Sequence, residues 1–167
     1  FTNHPEDMLY LNHTVSAINR NQQICTIIEN SLTQLNNSQL DKFDVLFVSG
    51  VINQPGWDKI NQFVRDGKHA LVFPSSKDEQ FNLSSSTINE NLNLIELELD
   101  NYILTHPESI LNIEDIAIQK LVLNKTITPK FFKYYPLGEI GNSLINLEDY
   151  SSIWQRVKIG DGFVDIL

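Results

Sequence analysis

The feature that most constrains the fold is a strand–helix–strand pattern in residues 43–74. The stretch "FDVLFVSG" (43–50) is almost continuously apolar, as in a strand whose two faces are both covered by helices. In "GWDKINQFVRDG" (56–67) the apolar residues recur at helical spacing, and Gly67 suits the left-handed residue that ends a helix. The stretch "HALVFP" (69–74) then predicts a second strand. This order and spacing favour a right-handed βαβ unit with two parallel strands.

One helix and one strand are predicted before this unit. Apolar residues recur at helical spacing over 5–20, and Pro5 suits the first turn of that helix. The stretch "QQICTIIEN" (22–30) is short, β-branched and apolar, which predicts a buried strand. Because Cys25 is the single cysteine, it forms no internal disulfide, and its apolar neighbours favour a buried packing role over a reactive thiol. The first half therefore predicts a doubly wound, mainly parallel α/β sheet of flavodoxin-like type.

The second half has a different character. Residues 82–93 are polar and predict a loop. In residues 92–99 apolar and polar side chains alternate only roughly, which fits either an edge strand or a helix. Residues 108–124 suggest a short helix followed by a strand. The last stretch, 151–167, predicts a β-hairpin whose arms meet at Gly160–Gly162. We therefore expect an antiparallel C-terminal hairpin on a parallel core.

Length and charge limit the classes of function. A chain of 167 residues fits one domain, here taken as 1–167, and has no apolar run near the ~20 residues of a membrane span. Its 21 acidic and 12 basic residues give a net charge of −9, which argues against nucleic acid or an anionic membrane as the main partner. The start at Phe1 and the strand-like end predict a piece of a longer protein.

Candidate catalytic residues follow the strand of "HALVFP", since sites in open α/β sheets lie at the carboxyl ends of strands. Pro74, Ser75 and Ser76 occupy that turn, without the glycines that usually flank a nucleophile elbow. An ordinary turn is therefore favoured there. The alternative is a hydrolase that uses Ser75 or Ser76 with His106 and Glu108 of "HPES", where the carboxylate would orient the imidazole.

Other residue patterns point to packing or to protein contacts. No glycine-rich phosphate loop is present and the histidines lack metal-ligand spacing, so we predict no cofactor and no metal. Four aromatic residues cluster in "PKFFKYYPL" (129–137), and with a net charge of −9 they fit a core or a protein interface better than nucleic-acid stacking. The candidate interaction surface consists of Phe131, Phe132, Tyr134 and Tyr135.

The strand–helix–strand region resembles the class I glutamine amidotransferases, in which an Asp-headed strand and a helix precede the nucleophile. In this alignment Gly67 matches the first glycine of the family motif and Lys68 replaces the second. Pro74 stands where the nucleophilic cysteine would be, and "HPES" equals the His-x-Glu signature in letters only. Cys25 lies nearly fifty residues before the elbow and cannot substitute. The resemblance therefore implies the fold without the nucleophile.

A longer resemblance is to the amidotransferase-like domain of BatA-type membrane proteins, encoded in bacterial aerotolerance operons. It is carried, in this order, by residues 43–76, "THPESIL" (105–111), "TPKFFKYYPL" (128–137) and 152–167. Lys68 and Asp161 depart from the family's glycines at two turns. The resemblance implies a non-catalytic domain that is tethered by helices absent from this chain, faces the periplasm and has protein partners in the cell envelope.

Three functions stay open from the sequence. The first is this non-catalytic interaction or assembly domain, a pseudoenzyme without the amidotransferase nucleophile. The second is the hydrolase or amidotransferase-like enzyme built on Ser75 or Ser76 with His106 and Glu108. The third is small-ligand binding in the crevice at the strand ends, because folds of this type host many functions.

Overall fold

The computed structural model describes residues 1–75, 80–84, 89–98, 101–106 and 130–167. Two α-helices are present in these ranges, α1 (Leu9–Ile18) and α2 (Gln54–Arg65), and 3-10 turns span Pro5–Met8 and Leu32–Asn37. The strands are β1 (Val45–Ser49), β2 (His69–Phe73), β3 (Gln80–Ser84), β4 (Asn89–Asn93), β5 (Ile95–Glu96), β6 (Ile103–Leu104), β7 (Lys130–Phe131), β8 (Lys133–Tyr134), β9 (Asn142–Asn146), β10 (Ser152–Ile159) and β11 (Gly162–Ile166). The fold is mixed α/β.

A five-stranded mixed sheet forms the centre, in the order β1-β2-β11-β10-β9. β1 and β2 pair in parallel, as the strand–helix–strand pattern predicts. β10 and β11 form the predicted antiparallel hairpin, with Gly160 at a φ of 62° in its turn. In addition, β11 pairs in parallel with β2, so β2 is an interior strand of the sheet.

Helix α2 covers one face of this sheet. The Asn53 side chain accepts a hydrogen bond from the Gly56 N–H at its start, and Gly67 follows its end with a φ of 88°. The apolar stripe that its sequence predicts is buried against alternate residues of three strands. The buried residues of this layer are Leu46, Val48, Trp57, Ile60, Phe63, Val64, Ala70, Val72, Val164 and Ile166.

The opposite face of the sheet is only partly covered. In β1 the exposure alternates, with Val45 44% exposed and Phe47 half-buried. The near-continuous apolar sequence of this strand predicts full burial on both faces, and at Val45 that prediction is wrong. The reason is the position of β1 at the edge of the sheet, which no feature of its own sequence specifies.

Residues 22–30 do not form the buried strand that their composition predicts. The Asn19 side chain instead accepts hydrogen bonds from the N–H groups of Ile24 and Cys25, at 2.8 and 2.9 Å. Ile24 is 70% and Ile28 54% exposed, and Cys25 is half-buried. A local side-chain cap has therefore replaced strand pairing in this segment.

The polar stretch 82–93 is not a loop throughout, because β3 and β4 pair as an antiparallel hairpin with Asn82 opposite Asn91. Leu83 and Leu92 from these strands are buried in the core, which explains why the polar segment orders. Of the predicted edge strand or helix at 92–99, the described residues 92–98 contain strand, in β4 and β5. The prediction for 108–124 lies outside the described residues.

On the partly covered face, three neighbouring strands bring together a buried charge cluster. Asp165 is 1% exposed and accepts two hydrogen bonds from Arg156, from Nε to Oδ1 and from Nη2 to Oδ2, both 2.7 Å. The His69 side chain is one-third exposed, and its Nε2 lies 3.1 Å from Asp165 Oδ2. Cross-strand pairing places Arg156 opposite Asp165, so the cluster links β10, β11 and β2.

Replacing Asp165 by asparagine should lower the free energy of unfolding by about 2 kcal/mol, because a charge-assisted bidentate pair becomes a weaker neutral one. Asp161→Asn is the matched control, since Asp161 is exposed in the turn of the same hairpin. Urea unfolding of both variants checks this. Equal effects of the two substitutions would contradict a stabilising role for the cluster.

Candidate functional site

The carboxyl ends of β1 and β2 lie side by side, where sites form in sheets of this kind. Ser49 is buried there, and its hydroxyl donates a hydrogen bond of 2.7 Å to Asp7 Oδ2. The Gly50 N–H donates to the Phe73 carbonyl at 3.0 Å. Ser75, two residues beyond β2, is 2% exposed. Local hydrogen bonds thus occupy the polar groups of Ser49 and Gly50 at the carboxyl end of β1.

The histidine of "HPES" lies at the far side of the sheet. The His106 N–H donates to the Asn146 carbonyl at 2.7 Å, and its ring packs on the Tyr150 ring with 4.9 Å between centroids. Tyr150 has a positive φ of 67°. Ser76 and Glu108, the other members of the alternative catalytic set, lie outside the described residues.

Strand pairing gives the separation of Ser75 from His106. Val72 of β2 pairs with Ile166 of β11, which pairs with Gln155 of β10. Because β10 runs antiparallel to β2, three residues further in the same direction are Ser75 after β2 and Ser152 on β10. Asn146 pairs with Ser152, and the segment of His106 bonds the outer edge of that strand. Four strand spacings of ~4.8 Å separate the two backbones by roughly 19 Å. This exceeds the reach of a serine–histidine hydrogen bond.

Residues 135–137 occupy part of the space between these positions. Leu137 pairs with Ser152 on the edge of β10 that faces β11, through a hydrogen bond of 2.7 Å from its N–H to the Ser152 carbonyl. β11 ends at Ile166, below this level. Leu137 and Tyr135 are both buried in the core, so this part of the strand-end crevice is filled by the chain itself.

The four aromatic residues of the predicted interaction surface separate into two groups. Tyr134 and Tyr135 are each 8% exposed, so their assignment to a surface is wrong. The Tyr134 hydroxyl donates to Asp149 Oδ2 at 3.1 Å, and burial, reinforced by this hydrogen bond, raises the pKa of the phenol. Phe131 is half-buried, whereas Phe132 is 49% exposed. Phe132 lies between β7 and β8 and belongs to neither strand.

Phe132 belongs to an exposed group that we call the aromatic patch: Tyr102, Lys130 and Phe132. The rings of Tyr102 and Phe132 meet edge to face, with centroids 6.1 Å apart. Lys130 Nζ lies 4.1 Å from the centre of the Tyr102 ring, within cation–π distance. Tyr102 is 46% exposed, so two large rings face solvent together.

Sequence reasoning missed Tyr102 because it lies thirty residues from Phe132 in the chain. The antiparallel pairing of β6 with β7, with Ile103 opposite Phe131, brings the two together. Neither strand is longer than two residues, and no periodic signal predicts such short pairs.

Two cavities border described residues near β1. The one beyond its carboxyl end, lined by Val51, Ile52, Asn53 and residues of the second 3-10 turn, has a volume of about 110 Å³. This is below the ~300 Å³ at which small-molecule sites begin. A larger one of about 600 Å³ lies between α1 and β1. A cavity of ligand size therefore lies beside the edge strand.

In the described ranges, no three potential metal-ligating side chains come together. Nor does any helix in the described part of the chain have the length and apolar character needed to cross a membrane.

Comparison with known proteins identifies a fold-level likeness. No family model and no curated protein matches the sequence. Among solved structures, the chain is similar to the cytoplasmic protein STM3548 from Salmonella typhimurium, with a TM-score of 0.57 and 10% sequence identity. The superposition covers 96% of this chain and 74% of that one. At this identity the similarity extends to the mixed α/β fold and no further.

Proposed function

We propose that this chain is a non-catalytic interaction domain with a class I glutamine amidotransferase-like, doubly wound fold, from a membrane-anchored cell-envelope protein of the BatA type. The BatA assignment, with its periplasmic location and its role in aerotolerance, rests on the order of the sequence motifs. The observation that carries an interaction role is the aromatic patch, where two large rings and a lysine face solvent together.

The patch has the chemistry of a protein-binding site. Aromatic side chains are enriched at the centres of protein interfaces, where their large rigid surfaces lose little conformational entropy on binding. Strand β8, which directly follows Phe132, is anchored by the burial of Tyr134 and by its pairing with β5. An exposed aromatic pair beside an anchored strand favours a partner with an apolar pocket.

A non-catalytic role is also supported at the strand ends. Pro74 follows β2 where the resembling family has its nucleophile, and proline supplies no N–H for an oxyanion hole. Serine-directed fluorophosphonate probes test the alternative directly, and we expect no labelling. Labelling that disappears in Ser75→Ala or Ser76→Ala would restore the hydrolase.

The partner is sought with a photo-crosslinking amino acid at position 132 of the full-length protein in living bacteria. We expect adducts with envelope proteins from position 132 and none from position 10, because Tyr10, 81% exposed on α1, is an equally accessible aromatic away from the patch. Equal crosslinking from both positions would mean that the patch has no specific partner.

The double variant Tyr102→Ser, Phe132→Ser should weaken binding to that partner at least ~30-fold, equivalent to about 2 kcal/mol for two central aromatic contacts. Unfolding should change by less than about 0.5 kcal/mol per residue, because both rings are exposed. Titration calorimetry and urea unfolding measure the two effects, with Tyr10→Ser as control. A large loss of stability with unchanged affinity would contradict the proposal.

The membrane anchor has its own test in the parent gene. We expect apolar stretches of about 20 residues in the sequence that flanks this chain. A parent protein without them would refute the BatA assignment but leave the aromatic patch as an interaction site.

A further inference from the structure

A second exposed aromatic pair lies beside the aromatic patch. The Tyr150 ring is 74% exposed and packs on the half-buried His106 ring, with 4.9 Å between the centroids. Thr105 is buried and pairs with the neighbouring strand, so the side chains of Tyr102, Leu104 and His106 alternate with it and share the outer face of this segment. At ~3.3 Å per residue, the backbones at the two aromatic pairs lie roughly 13 Å apart.

The turn that carries Tyr150 holds it in an unfavourable backbone conformation. The Leu147 N–H donates to the Ser151 carbonyl at 2.8 Å and the Tyr150 N–H donates to the Leu147 carbonyl at 2.9 Å, which makes a three-residue hairpin loop. The last residue of such a loop is left-handed, and glycine is preferred there. Tyr150 adopts this conformation with a φ of 67°, which is an outlier for a bulky residue. Because strained residues cluster at binding sites, we attribute the tyrosine to the ring that it presents.

The main chain beneath the two pairs is already bonded on both sides. On one side, Ile103 and Leu104 pair with β7. On the other side, the Glu148 N–H donates to the Leu104 carbonyl at 2.9 Å, and the His106 N–H donates to the Asn146 carbonyl at 2.7 Å. A partner at this face is therefore recognised by side chains rather than as an added β-strand.

The side chains between the two pairs disfavour a helical partner. Leu104 is half-buried, and the exposed residues Lys130 and Glu148 lie opposite it on the chain segments to either side. An amphipathic helix needs a continuous apolar groove, whereas here a charged side chain lies on each side of a single leucine. Separate aromatic rings along a surface are instead typical of sites that bind a polyproline II helix.

We propose that the two aromatic pairs together bind a proline-rich segment of the partner in the polyproline II conformation. This inference rests on the interaction function proposed above and names the class of its partner. The Lys130 ammonium and the phenol groups of Tyr102 and Tyr150 can donate hydrogen bonds, and they flank the two pairs. A proline-rich segment is complementary to them, because it presents carbonyl oxygens, carries few N–H groups and is ordered before it binds.

The first experiment is titration calorimetry of this chain with synthetic decaproline. At ~3.1 Å per residue this peptide is about 30 Å long, so it reaches both aromatic pairs in any register. We expect saturable binding with a dissociation constant below about 1 mM. A control peptide with glycine at every second position lacks the preformed helix and should bind at least fivefold more weakly. No binding of decaproline, or equal binding of both peptides, would overturn the proposal.

The variant Tyr150→Asn separates binding from folding. Asparagine tolerates the left-handed conformation, so the midpoint of urea unfolding should stay the same or rise. Decaproline binding should weaken at least fivefold, because one of the two aromatic pairs is lost. The matched control Tyr10→Asn removes an exposed ring on α1 and should leave binding unchanged. Unchanged binding by Tyr150→Asn, or a loss of both stability and binding, would overturn the role of this ring in recognition.

Photo-crosslinking distinguishes a failure of this inference from a failure of the proposed function. With the crosslinking amino acid at position 150 of the full-length protein, we expect adducts with the same partner as from position 132. Mass spectrometry of the adducts should identify a proline-rich segment. Adducts from position 132 alone, or a crosslinked segment without proline, would overturn the inference and leave the aromatic patch as an interaction site. No adducts from either position would contradict the proposed function itself.

Discussion

Gly162→Ala should lower the free energy of unfolding by at least about 4 kcal/mol, among the largest effects of a single substitution. A Cβ at this position would lie inside van der Waals contact of the main-chain carbonyl oxygens of Lys68 and Val64, and 2.9 Å from the Lys68 N. Main-chain atoms at the junction of α2 and β2 cannot move aside as a flexible side chain can. β11 would have to separate from β2, with which it pairs.

The matched control is Gly67→Ala, in the turn between α2 and β2. Its Cβ would meet only Asp161 Cβ at 3.8 Å, an ordinary contact, and the cost comes from the φ of 88°. That left-handed conformation costs an alanine about 1 kcal/mol. Urea unfolding followed by circular dichroism compares the two variants. If both lose the same stability, the close approach of β11 to residues 64–68 is wrong.

The second large effect is expected at Trp57. Its side chain is completely buried and is the largest such side chain in the described core, so Trp57→Ala should cost about 3–5 kcal/mol. The loss has two parts, the transfer of the ring to water and the cavity left between α2 and the sheet. Far-UV circular dichroism is the suitable probe, since the substitution also removes one of the two tryptophans.

Tyr10→Ala is the control for this second prediction. Tyr10 is 81% exposed on α1, and truncation of a ring that contacts mainly water should change the unfolding free energy by no more than about 0.5 kcal/mol. A loss below about 1 kcal/mol for Trp57→Ala would show that α2 does not pack on the sheet as described.

The candidate site was less accessible to prediction than the fold. Tyr134 and Phe132 lie two residues apart in one aromatic run, yet the first is 8% and the second 49% exposed. Nothing in the run distinguishes them, because burial depends on which strand covers each residue. Tyr102 enters the patch only through the two-residue pairing of β6 with β7. A surface made by such short, distant pairs leaves no pattern in the sequence.

Some features of this protein were determined by the sequence alone, because their signals are local. Each of these signals lies within a short stretch of the sequence: the apolar stripe of α2, the Gly67 that ends it, the apolar run of β1 and the turn of the C-terminal hairpin. They predicted the parallel pair β1–β2 and the hairpin of β10 and β11, and the structure confirms both.

Other features were decided only by the tertiary structure. Residues 22–30 have the composition of a strand but form none, whereas the polar residues around Asn82 pair as strands. The place of β11 beside β2 depends on the approach of Gly162 to the end of α2, nearly one hundred residues earlier in the chain. Propensity favours an extended backbone, but the partner that satisfies its hydrogen bonds comes from distant chain, and that partner decides whether a strand forms.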